Sequence, residues 1–141
     1  MDVNVLINIG MITIAAVSIL ISVYTFYKSK DSESYSSFDG LYQDLLMVAV
    51  DKPRFVNTRY TENYETAFDD EDTRHSYEIY AYMAFNICET IIDMHNKTLM
   101  ETWLPVIQNE YSLHKNWLKK PQNARKFKQK FHDFVAECLE K

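Results

Sequence analysis

Carboxylates and imidazoles carry most acid–base and metal chemistry, and this 141-residue chain holds four histidines, His75, His95, His114 and His132, scattered singly. None belongs to the repeated Glu-x-x-His pairs that a di-metal helical bundle needs. Asp72-x-x-His75 is a lone approximation, and Glu110 stands four residues before His114, the wrong spacing for that pattern. Glu89, set in an apolar stretch, and His95 are the candidates for acid–base work, because a desolvated carboxyl holds its proton more tightly. The run Asp69-Asp70-Glu71-Asp72 offers hard oxygen ligands but lacks the alternating acids and glycine of a calcium loop. Ahead of a long helix, such acids suit its free N–H groups and positive end.

Cys88 and Cys138 form no C-x-x-C pair and are expected to be reduced. The chain has no Gly-rich phosphate loop, nucleophile elbow, H-E-x-x-H or kinase signature. Gly10 and Gly40 are its only glycines, too few for a backbone cradle around phosphate. No catalytic residue, cofactor or metal is therefore expected, and the reading is of a non-catalytic protein.

The elements that would position these residues read as helices throughout. Glycines and prolines are few, and no strong hairpin signal occurs. Val3–Tyr27 is uncharged and is followed by Lys28 and Lys30. At about 1.5 Å per residue it is long enough for a bilayer core of about 30 Å. The expected fold is thus all-α, with one N-terminal transmembrane helix followed by a small cytoplasmic helical bundle of about four helices. Residues 1–27 form the anchor, 28–37 a serine-rich linker and 38–141 the helical domain. The lysine flank places the N-terminus outside the inner (plasma) membrane and the domain in the cytoplasm, with Tyr24, Phe26 and Tyr27 at the interface.

Within the domain, periodicity predicts a helix from Ser37 to Val50, ended by Pro53. A loop with a possible helical turn follows, and then a core helix from Thr73 to Met94 that is apolar around most of its circumference. A third helix over Thr98–Lys119 carries the stripe Trp103, Ile107, Tyr111, His114 and Leu118, and a last one runs from Pro121 to the end.

Two surfaces stand out as places to bind. Asn4, Asn8, Met11, Ala15, Ser18, Ser22 and Thr25 fall on one stripe of the first helix, the small and polar face by which helices approach each other in lipid. Lys115, Lys119, Lys120, Arg125, Lys126, Lys128 and Lys130 form a basic block with no acid inside it, in a chain of net charge −5. Such a block suits membrane lipids of the anionic leaflet or a partner, or it could meet the acidic loop Glu62–Asp72 within the domain. Nucleic acid is not expected, because the chain is acidic and lacks a recognition motif. The expected function is a single-pass membrane accessory subunit. It would dock through its first helix on another membrane subunit or a second copy of itself and present the helical domain to a larger complex. The alternative is an anchored sensor of a cytoplasmic ligand or of the anionic surface.

Overall fold

The computed structural model describes residues 3–94 and 96–140, with the side chains of residues 14–29, 32–94 and 96–140. Among the described residues every regular element is helical. α1 runs unbroken over Val3–Asp51, and residues 28–37, read above as a linker, are helical within it. No proline interrupts that stretch, and Ser, Lys and Glu there tolerate a helix. The chain divides into two compact units, Met1–Ser37 and Phe38–Lys141.

The transmembrane anchor is not upheld. Among the described residues no helix is long and apolar enough to cross a membrane. The single-pass membrane assignment falls with it. Of the stripe on α1, the side chains of Asn4, Asn8 and Met11 lie outside the described residues.

In the second unit, Pro53 forces Lys52 out of the helical region, to φ −124° and ψ 70°, and α1 ends there. A 3-10 turn over Pro53–Val56 and two single-turn helices, α2 (Thr58–Thr61) and α3 (Tyr64–Ala67), lead to α4 (Glu71–Asp93). The acid run caps α4. Asp70 accepts the Thr73 N–H and the Thr73 hydroxyl, each at 2.7 Å, and Glu71 and Asp72 occupy the first turn. Those hydrogen bonds hold the Asp70 carboxyl below the usual carboxylate range. α5 (Lys97–Leu118) starts on Asn96, whose side chain accepts the Leu99 N–H at 3.0 Å. It passes through exposed Pro105 without breaking, since the backbone groups that proline frees there can reach water.

α4 and α5 form the central pair. Phe85 on α4 stacks on Trp117 of α5, centroids 6.1 Å apart and planes 14° from parallel. Phe127 and Phe131 meet the same ring edge-on. Phe55, from the 3-10 turn, wedges among Phe68, Tyr77 and Tyr80. Each such buried ring stabilises the fold by about 1.5–3 kcal/mol.

The last helix predicted from Pro121 to the end is instead α6 (Pro121–Ala124), α7 (Gln129–Phe134) and a π-helical turn over Val135–Leu139. The break has a cause on α4. Glu89 accepts the Lys128 backbone N–H at 2.7 Å, satisfying the free donor at the start of α7. Lys128 and Lys130 both clasp Asp93, and buried Phe127 is drawn into the core between the two helices.

Candidate functional site

The stripe that makes α5 a core helix carries two titratable groups into the interior. Glu110 follows Ile107 by three residues and precedes His114 by four, so both face inward with Trp103 and Trp117. Glu110 is 2% exposed and His114 0%. Their contact, His114 Nε2 to Glu110 Oε2 at 3.4 Å, is ionic or dipolar rather than a well-aligned hydrogen bond.

Tyrosines from two other helices complete the cluster. Tyr42 of α1 donates its hydroxyl to Glu110 Oε1 at 2.9 Å, and the Asn109 amide reaches the same oxygen at 3.4 Å. The Tyr77 hydroxyl of α4 lies 3.0 Å from His114 Nδ1. With the imidazole proton on Nε2, Tyr77 donates to Nδ1 and the N–H faces the carboxylate, so the four residues form one chain of polar contacts. The Tyr80 hydroxyl is buried without a hydrogen-bond partner among the described residues. Burial, with the Glu110 carboxylate adding to it, pushes Tyr42, Tyr80 and the Cys88 thiol well above their ordinary values.

This arrangement pins three helices together but offers little to a substrate. A general base must come within hydrogen-bond reach of the proton it takes, and neither Glu110 nor His114 is open to a ligand. Cys88, buried and with its thiol form favoured, is a poor nucleophile. Among the described residues no three His, Cys, Asp or Glu side chains gather as metal ligands.

The candidates of the sequence reading are dispersed. Glu89 is half-buried and caps α7, and His95 lies outside the described residues. His75 is exposed, and His132 places Nε2 2.9 Å from the Ala124 carbonyl. Ala15, Ser18, Ser22 and Thr25 are exposed on α1, and the hydroxyls bond back to their own helix. Ser18 donates to the Ile14 carbonyl, Ser22 to that of Ser18 and Thr25 to that of Ile21, each at 2.8 Å.

The basic block is largely spent inside the domain. Lys119 pairs with Glu140 at 3.0 Å and Lys120 with Glu65 at 2.7 Å, so one member does meet the acidic loop. Lys128 and Lys130 share Asp93, and Lys126 lies over the rings of Trp117 and Tyr82. Lys115 and Arg125 carry no such partner among the described residues.

Tyr42 escaped the sequence reading, which took Tyr77, Tyr80 and Cys88 only as apolar members of the core helix. Glu110 could have been caught, because a charge at a core position of an otherwise apolar stripe is itself a signal. No family model, curated protein or solved structure matches this chain.

Proposed function

We propose that the chain is a non-catalytic accessory protein that docks through α1 and presents its C-terminal helical unit to a larger assembly. The observation that carries this reading is the surface of α1 between Ile14 and Tyr27. Nine large apolar side chains there, among them Ile14, Leu20, Tyr24 and Phe26, are between 47% and 68% exposed. A helix apolar around most of its circumference is one that other elements cover, and contiguous exposed apolar surface of this kind marks an interaction site. The burial of the Glu110–His114 cluster in the second unit argues in the same direction, against a reaction centre there.

The alternative, a sensor of an anionic surface, draws less support. Four members of the basic block are already ion-paired within the domain.

The test is gentle recovery of the full chain from cells that make it, followed by sizing and mass spectrometry. A stoichiometric partner that is lost on Leu20→Glu with Ile21→Glu supports the reading. Recovery as a lone monomer, or a partner retained by the double variant, overturns it.

A further inference from the structure

α5 and α7 both pack on α4. Near the C-terminal end of α4 they border a hollow of about 390 Å³, within the roughly 300–1,000 Å³ of small-molecule sites. One residue from each helix makes its lining apolar. These are Ile92 of α4, which is buried, and Met100 of α5 and Phe134 of α7, which are half-buried.

Charges of both signs line the same hollow, and they do not pair with one another. Lys97 comes from the first turn of α5, whereas Lys130, Asp133 and Glu137 come from α7 and the π-helical turn after it. Lys130 is held by Asp93 and by the Ile92 carbonyl, each at 3.1 Å. Lys97 reaches only Glu101, at 3.8 Å on its own helix, and such an exposed pair is worth little. Asp133 accepts from the Gln129 amide at 2.9 Å. Neither Asp133 nor Glu137 has an ion-pair partner among the described residues. Four residues apart and both on the hollow, these two carboxylates repel each other mildly.

A ligand of one charge does not suit this lining. An anion drawn to Lys97 meets two carboxylates, and a cation drawn to those meets the lysines. A neutral apolar molecule would strip water from four charged groups and return nothing. We infer that the hollow between α5 and α7 binds a small zwitterion with an apolar body, the chemistry of a short apolar peptide with free ends. Its carboxylate meets Lys97, its ammonium meets Asp133 and Glu137, and its side chains lie on Ile92, Met100 and Phe134. The two charges sit on different elements, so the ligand ties α5 to α7 and stabilises the folded chain. The inference goes beyond the accessory reading and uses none of the surface of α1.

The probe is the dipeptide leucyl-phenylalanine, titrated calorimetrically into the full chain at low salt. It is compared with its N-acetylated form, its C-terminal amide and glycylserine, which keeps both charges but lacks the apolar body. The free dipeptide should bind at least about tenfold more tightly than each of the three, a difference of about 1.4 kcal/mol. Lys97→Gln should lower its affinity to that of the amide and abolish the preference between those two. Asp133→Asn with Glu137→Gln should do the same for the free and acetylated forms. All three positions are exposed, and thermal unfolding checks that each variant folds. The midpoint of the parent chain should also rise with dipeptide concentration, and those of the variants should rise less.

Neither heat nor a rise in midpoint with millimolar dipeptide overturns the inference. So does binding that is as tight for the acetylated form, the amide or glycylserine. Binding that survives both variants places the ligand elsewhere and overturns it too. If the double variant fails to fold, Glu137→Gln alone carries the same test with the same two readings. Failure here leaves the recovery of a partner dependent on Leu20 and Ile21 intact. Failure of the accessory reading removes that partner while dipeptide binding persists.

Discussion

Two charged clusters tie helices of the second unit together, and they do so in opposite ways. At Asp93 the carboxylate meets the ammoniums of Lys128 and Lys130 at the surface, and Glu89 beside it caps the Lys128 N–H. At Glu110 the carboxylate meets an imidazole and a tyrosine hydroxyl in the interior. The surface clasp works in water, where ions are already well solvated, so its members gain little by meeting. The interior cluster has no water to fall back on, and each polar atom depends on the others. Position is thus what the interior cluster contributes. It makes α1, α4 and α5 agree on a single register, because any slip strands a buried charge.

The sharpest way to break this contrast is Glu110→Ala, which leaves the imidazole and the Tyr42 hydroxyl without their counterpart. Removing one member of a buried pair costs about 3–5 kcal/mol, and chemical denaturation should show a loss of that size. Replacing every polar member together, by Glu110→Met, His114→Phe, Tyr42→Phe and Tyr77→Phe, should cost less than Glu110→Ala alone. A larger loss in the quadruple variant would show that packing rather than polar pairing holds this region.

A second, smaller effect lies at alkaline pH. Burial pushes Tyr64 up to about 12 and carries Tyr77, Tyr80 and Tyr42 higher. In the unfolded chain tyrosine ionises near about 10. The folded form therefore keeps protons that the unfolded form gives up. Stability is full below about pH 10 and falls as pH rises through the folded values. Denaturation midpoints followed together with tyrosinate absorbance should show ionisation arriving with unfolding. Ionisation well before unfolding would mean that the rings are open to water.

The smallest effect belongs to the surface clasp. Its two lysines hold the Asp93 carboxyl below the usual carboxylate range. Its contribution is therefore present above the ordinary carboxylate value of about 3.9 and is lost as pH falls through the lowered one. Asp93→Asn should shift the denaturation midpoint slightly at low salt and less at high salt. A salt-independent loss as large as that of Glu110→Ala would erase the distinction between the two clusters.

Much of this was visible in the chain itself, and what was not has a common reason. The start of α4 was legible because Asp70 and the acids after it act on N–H groups only residues away. The inward face of α5 was legible from the spacing of Trp103, Ile107, Tyr111 and His114. The Tyr42 and Tyr77 hydroxyls reach their partners across 68 and 37 residues, and no local pattern announces such a meeting. Glu110 was weighed by the spacing that metals require, when its place on a buried face was the better clue. The break before α7 depends on Glu89, nearly forty residues upstream in α4, whereas the amphipathic stripe over 127–139 reads as one helix. The anchor was judged on the apolar length of the sequence alone, and the described helix does not sustain it.

The two cysteines have opposite accessibility, Cys88 sealed in the core of α4 and Cys138 exposed in the final turn. This gives the molecule a built-in clock and a built-in handle. A thiol reagent should mark Cys138 at once and leave Cys88 untouched until the α4–α5 core opens. The slow second modification then reports how often that core comes apart under native conditions, with no foreign label introduced.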